Sequence, residues 1–309
     1  MTRWPVRSLL VPLLAWLTAG ISALAETPRV LILGIDGCRP DALAAADTPH
    51  LDALTSAGIW FEGTDIRAPQ ATDAANTVSG PGWSNILTGV WPDKHGVLDN
   101  SFSAPRYDAF PHVFARVKEA RPSAVTASFS TWKPIAQTIV RQADVSRHFP
   151  EEGDDYVLGD AQATAACVAC LKQMNPDVVF LYLGQVDETG HQHGFHPQVA
   201  EYIRAIETVD RHVGELRDAL RARPLADAED WLLIVCTDHG GVGTGHGEGH
   251  TTPEVRETFL IVSGPSARRG RSSEPTYHVD VVPTALRHLG IAPLTGWGLD
   301  GRAVGLLEP

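Results

Sequence analysis

Against 37 acidic residues the 309-residue chain sets 25 basic ones, a net charge of −12 with histidine neutral, or −14 once Arg3 and Arg7 of the leader are set aside. Such a surface repels a nucleic acid duplex, while small anions can still enter a site where metal ions supply the positive charge. Four cysteines are too few for a disulfide scaffold, and the length suffices for one large domain with a substantial core.

Residues 1–25, MTRWPVRSLLVPLLAWLTAGISALA, carry two arginines, an apolar run broken by Pro12 and Gly20, and then Ala23-Leu24-Ala25, the small-x-small pattern of a signal-peptidase site. They read as an export signal, which leaves residues 26–309 as a single domain, periplasmic or secreted. No later stretch reaches the roughly 18 to 20 apolar residues of a membrane span. Strand-length apolar runs follow at 29–36 (RVLILGID), 123–130 (SAVTASFS), 177–183 (DVVFLYL), 231–238 (WLLIVCTD) and 258–264 (TFLIVSG). They are nearly continuous, as in strands buried on both faces. Helical patterns lie between them: TPHLDALTSAG, the segment after Ser79, AFPHVFARVKEA, DAQATAACVACLKQ, the long run from Gln198 to Ala222, and VDVVPTALRHLG. This alternation predicts an α/β fold of three layers, with a mostly parallel central sheet between helices. Cys167 and Cys170, three apart on one helix, read as a pair able to oxidise or as two small buried residues. Cys38 and Cys236 fall near the candidate site.

Sites of parallel α/β sheets lie beyond the carboxyl ends of the strands, and three predicted strands end in metal-type side chains: Asp36, Asp187 and the pair Asp238-His239. In VDETGHQHGFH, Asp187 and His191 are four apart with Gly190 between, so a turn can fold both onto one ion; His193 and His196 read as outer or surface groups. In TDHGGVGTGHGEGH the glycine run can bend back and deliver His246 or His250. In NTVSGPGWSNILTG, Ser79 opens a predicted helix whose first turn lacks a carboxylate. As an N-cap, Ser79 would accept an amide hydrogen bond; as a solvent-facing group on a vacant anion site, its hydroxyl could attack a bound phosphate. Three carboxylates, three imidazoles and the Ser79 oxygen are too many ligands for one tetrahedral ion and suit two. The mixed oxygen and nitrogen set suits zinc, with manganese or iron as substitutes, and ions about 4 Å apart can clamp both oxygens of an in-line phosphoryl displacement.

The motifs LGIDGCRPDAL, SGPGWSNILTGVWPDKHGVLDN, LYLGQVDETGH and TDHGG, in that order, resemble the alkaline phosphatase superfamily, most closely its type I phosphodiesterase and nucleotide pyrophosphatase branch; the closing HVDVVPTALRHLGI resembles the branch's C-terminal helix. The resemblance implies an alkaline phosphatase-like fold and a nucleophile at Ser79. It implies one metal site at Asp36, Ser79, Asp238 and His239, and a second at Asp187, His191 and a later histidine. It also implies a phosphate contact from Asn100 and a phospho-seryl intermediate. The Gly-His-Gly context favours His246 as the third imidazole, whereas the Thr-Thr after His250 resembles a metal histidine of phosphoglycerate mutases in the superfamily. Trp83 stands where sulfatases carry the arginine of their modified-residue motif, and His239 where they carry an asparagine, both against sulfatase activity. Gly80 stands where nucleotide pyrophosphatases usually place a base-stacking phenylalanine; Trp132 could supply an aromatic surface instead and Lys133 a phosphate contact, or they could serve packing and the exposed surface. The expected function is therefore an exported two-metal hydrolase of phosphodiesters or related phosphoric esters, acting on small molecules. A phosphomonoesterase and an inactive binding protein of the same fold are the alternatives.

Overall fold

A computed structural model describes Met1 and residues 26–67, 75–150, 153 and 155–308. The expected export signal, Met1 apart, lies outside the described residues, among which no helix is long and apolar enough to cross a membrane. Among the described residues nine strands form one sheet: β1 (Thr27–Ile35), β2 (Gly58–Asp65), β3 (Thr126–Ser130), β4 (Val145–His148), β5 (Val178–Leu183), β6 (Glu229–Cys236), β7 (Glu257–Ser263), β8 (Gly270–Ser272) and β9 (Thr276–Tyr277). Their order is β4-β3-β5-β1-β6-β7-β2-β8, with β9 beside β2. All neighbours are parallel except those of β7, which runs against both β6 and β2. The connection after β6 carries only the short helix Pro253–Arg256 and no helix that crosses the sheet to its opposite end.

The near-continuous hydrophobicity of the central strands reflects burial on both faces. In β1, Val30 and Ile32 pack on one side with Trp83, Ile86, Val113, Phe114, Val282 and Leu286. Leu31, Leu33 and Ile35 pack on the other with Leu51, Ala163, Leu171, Tyr202, Ile206 and Val213. Helices therefore cover both faces, in the three layers expected from sequence. Strands β2, β4, β8 and β9 were not legible: β4, β8 and β9 have at most four residues each, and β2 opens on Gly58 and is exposed at Glu62-Gly63. The four cysteines are free and buried, including Cys167 and Cys170.

Candidate active site

Register assembles the site. Ile35 of β1 pairs with Leu183 of β5, and Gly34 with Cys236 of β6, so the chain leaves these three strands side by side and sets Asp36, Asp187, Asp238 and His239 around one space. Asp187 and His191 sit on a helix, Gln185–His193, rather than in the turn expected from sequence. Gly190 does not break it, because the ring of Phe195 occupies the place a side chain there would take, 2.3 Å from where a Cβ would stand. One helical turn places positions four apart on the same face, and His191 Nε2 lies 3.4 Å from Asp187 Oδ2. Gly37, with φ +64°, makes the adjoining turn and leaves room for Asp187, whose Oδ1 would be 2.5 Å from a Cβ there.

The three imidazoles are oriented alike. Nδ1 of His191, His239 and His246 each lies 2.9 Å from a backbone carbonyl, those of Thr244, Gly240 and Thr77. Donation from Nδ1 leaves Nε2 of a neutral ring for a metal, the usual way a protein fixes a ligating tautomer; without a metal the His191 Nε2 proton is held by the hydrogen bond to Asp187, which raises that ring to about 9. His239 Nε2 is 3.3 Å from Asp238 Oδ2, 3.5 Å from Asp36 Oδ1 and 3.4 Å from Ser79 Oγ. His246 Nε2 is 3.0 Å from His191 Nε2 and 3.6 Å from Asp187 Oδ1. Asp36, Asp238 and His239 thus form one set with metal-ligand spacing, and Asp187, His239 and His246 another.

Buried carboxylates normally find donors, yet Asp36 Oδ1, Asp187 Oδ1 and Asp238 Oδ2 are buried with no hydrogen-bond partner and face these rings. The electrostatics agree that a cation is wanted. Burial, and then the neighbouring Asp187 charge, pushes Asp36 up to about 6. Asp238 is driven well above its ordinary value by burial and then by Asp36 and Asp187. Burial alone would raise Asp187 as well, but the His191 hydrogen bond and the His239 and His246 rings outweigh it and hold that carboxyl low. His246 is pushed down to about 4 by burial and then by His239, and is therefore neutral and able to ligate at pH 7.

Ser79 opens the helix Ser79–Thr88, but Val78 occupies the N-cap position and no side chain there caps the helix. The expected cap role is thus not taken up. Nor does Ser79 face solvent: all ten residues of this helix are buried, small side chains letting it sit close to the sheet. The amide of Gly80 donates 2.7 Å to Oδ1 of Asn100, leaving the Asn100 NH2 group as a donor beside Ser79. Gly80 is required there, since a Cβ would fall 2.7 Å from the Asp99 carbonyl and 2.9 Å from Asn100 Oδ1. Trp83, one helical turn beyond Ser79, donates from Nε1 to Asp36 Oδ2 at 2.9 Å, and Tyr182 donates to the same oxygen at 2.5 Å. Together they turn Oδ1 toward the imidazoles. Sequence reasoning missed this role for both; the i, i+4 spacing of Ser79 and Trp83 was the available signal.

The sequence model of the type I phosphodiesterase / nucleotide pyrophosphatase family matches residues 30–248, a span that contains all of these side chains. The chain belongs to that family. Human ectonucleotide pyrophosphatase/phosphodiesterase family member 7 is 26% identical over 263 residues, 77% of this chain and 54% of its own length, so the chain spans about half of that relative. Among solved structures, murine ectonucleotide pyrophosphatase/phosphodiesterase 5 covers 86% of this chain and 96% of its own at a TM-score of 0.63 and 15% identity. A 2-O GAG sulfatase covers 90% and 73% at a TM-score of 0.69 and 16% identity. At such identities these two likenesses describe the fold.

Within this family member the glycine-rich loop brings His246 into the cluster and leaves His250 out of it. Asn76 and Thr77, just ahead of Ser79, staple the loop: Thr77 Oγ1 donates to the His246 carbonyl at 2.5 Å and accepts from Gly249 N at 2.8 Å, and Asn76 Oδ1 accepts from Glu248 N at 2.7 Å. His250 instead lines a cavity along the Ser79 helix with Arg67, Asn76 and Trp91, a cavity that Asp238 also borders, and it belongs to neither set with metal-ligand spacing. His246→Ala is accordingly expected to cost one bound metal ion and His250→Ala none, as counted by elemental analysis. Trp132 stacks on Tyr182 (6.3 Å between centroids, 26° between planes) and meets Phe102 at 5.9 Å, so it packs behind the site. Lys133, His193 and His196 are exposed.

The segment delivering Asn100 hangs on His95, fully buried, whose Nδ1 accepts from Val97 N at 3.0 Å while Nε2 lies 2.9 Å from Asn85 Oδ1. Only the neutral ring satisfies both contacts, and burial, then Arg106, pushes it down to about 3. A histidine depressed in the folded state contributes stability above its unfolded pKa of about 6.5 and loses it as pH falls toward 3. His95→Gln should therefore cost about 1 to 3 kcal/mol at pH 7.5, and this deficit should shrink by up to ~1.4 kcal/mol per pH unit below about 6.5. Urea unfolding of the two proteins from pH 4 to 8 measures it; a pH-independent deficit would contradict the assignment.

Proposed function

We propose that the chain is a metal-dependent hydrolase of phosphodiester or related phosphoric ester bonds, acting through a phospho-seryl intermediate on Ser79. The observation carrying this reading is the trio of buried, partnerless carboxylate oxygens facing three imidazole Nε2 atoms beside a serine at a helix start. Family membership and relatives named as phosphodiesterases and nucleotide pyrophosphatases support it.

The residues present fit two divalent ions, zinc first, one among Asp36, Ser79, Asp238 and His239 and one among Asp187, His191 and His246. When bound, such ions lower the pKa of coordinated oxygens and neutralise charge on the phosphoryl group. The chain's own groups do the rest. Ser79 Oγ attacks phosphorus as the bond to the leaving oxygen breaks, and water later cleaves the serine ester and restores the hydroxyl. The Asn100 amide and the carboxylate-free helix start hold a phosphoryl oxygen. Trp83 and Tyr182 hold Asp36 in place. For location, Arg3, Arg7 and Ala23-Leu24-Ala25 support export, periplasmic or secreted.

Parallel rates on bis(4-nitrophenyl) phosphate, 4-nitrophenyl phosphate and 4-nitrophenyl sulfate test the reading. The diester is expected to be fastest and the sulfate inert. A faster monoester would shift the assignment to a phosphomonoesterase, and no turnover of either phosphate by metal-replete protein would overturn it.

A further inference from the structure

We propose that Asp160 is a positioning residue for the Asp187–His191 metal site, acting by clasping the start of the helix that carries both ligands. The inference rests on the two-metal reading above. Asp160 lies on the helix Tyr156–Gln173 and is 0% exposed. One carboxylate oxygen accepts from Gly184 N at 2.9 Å and Thr131 Oγ1 at 2.8 Å, and the other accepts from Gln185 N at 3.0 Å; Thr131 Oγ1 in turn accepts from Gly184 N at 3.0 Å and so shares the clasp.

Those two amides are the first of the helix Gln185–His193, whose N-cap is Gly184. A glycine has no side chain to cap with, and the two acids of the first turn, Asp187 and Glu188, point their chemistry elsewhere: Asp187 to the imidazoles and Glu188 to Gln192. The orphan amides of this helix start are therefore met from 24 residues upstream. Gly184 cannot be exchanged for an ordinary capping residue, because a Cβ there would fall 2.6 Å from the Tyr156 ring. A carboxylate, rather than a neutral acceptor, suits the positive end of the helix dipole.

The clasp sets where Asp187 stands. Its amides are the first two of a helix in which Asp187 comes two residues after Gln185 and His191 one turn later, so a shift at Gly184 moves both ligands as one body. On the far side Gly37 abuts Asp187, leaving the helix no slack. The ligands of the other site come from β1, from the loop after β6 and from the Ser79 helix. Asp160 hydrogen-bonds none of them and meets that set only as a charge near Asp36.

The experiment is a titration of metal-free protein with zinc against a chromogenic chelator, for wild type, Asp160→Asn and Thr131→Val. Asparagine places an NH2 group against one of the donors it should accept from. In Asp160→Asn the zinc affinity that His246→Ala abolishes should fall by about 10- to 100-fold and the other by far less. Activity should be lost at limiting zinc and regained in excess, and amide hydrogen exchange at Gly184 and Gln185 should accelerate in metal-free protein. A residue that merely supports the fold would lower the melting temperature without changing the ratio of the two affinities. Wild-type affinities for both ions in Asp160→Asn, or equal weakening of both, would overturn the proposal. Should Asp160→Asn not fold, Thr131→Val is judged by the same ratio: a smaller selective loss supports the clasp, and an unchanged ratio overturns it. Wild type holding fewer than two ions would overturn the two-metal reading itself, which is seen before any variant is compared.

Discussion

Ser79→Ala is expected to lower turnover of a phosphodiester by about 10³-fold or more, the scale on which deletion of a nucleophile acts, while leaving the fold and the second metal set in place. The hydroxyl lies 3.4 Å from His239 Nε2, beside the orphaned oxygens of Asp36 and Asp238, at a helix start with no acid in its first turn. The nearby hydroxyls are otherwise engaged: Ser84 Oγ donates to the Gly80 carbonyl at 2.5 Å and meets Tyr107, and Thr77 Oγ1 is spent on the glycine loop. Neither can substitute without dismantling the site. Removing the hydroxyl leaves little else to destabilise, since it makes no helix cap. Equal rates for Ser79→Ala and wild type, with unchanged thermal melting, would remove the phospho-seryl route.

Chelation is the second large effect. Dialysis against a strong chelator is expected to abolish activity and to lower the melting temperature, both restored by zinc, because an ion that binds the native state alone stabilises it by mass action. Without cations the site retains three carboxylates, and burial, then mutual repulsion, raises Asp36 to about 6 and drives Asp238 well above its ordinary value. A carboxyl raised in the folded state contributes stability that is present at low pH and lost as pH rises through its folded value. The gap in melting temperature between zinc-loaded and metal-free protein should consequently be wider at pH 8 than at pH 5.5. Differential scanning calorimetry at both values decides; a gap that narrows with rising pH would contradict this account of the carboxylates.

Much of the candidate site was legible because its metal-type side chains end strands. Asp36, Asp187, Asp238 and His239 follow apolar runs that read as buried parallel strands, and the location of sites beyond their carboxyl ends is a consequence of parallel topology. The layered fold was legible for the same reason. The resemblance of a few motifs is what points to Asn100 and Ser79, and the family match over residues 30–248 bears out the resemblance itself.

What the chain determines by itself is therefore the inventory of metal-type side chains and the strand-helix alternation, since hydrophobic period and residue type are properties of short segments. Tertiary structure alone decided four further matters. It selected His246 rather than His250 for the cluster, because contacts from Asn76 and Thr77, some 170 residues away, hold a glycine loop with no local preference of its own. It made a helix of Gln185–His193 by supplying Asp160 as a distant cap and Phe195 as the filler beside Gly190. It buried the Ser79 helix on every side, which small residues allow but do not require. And it reversed β7, because the direction of a strand is set by where the preceding loop returns to the sheet, a relation between segments that no single segment encodes.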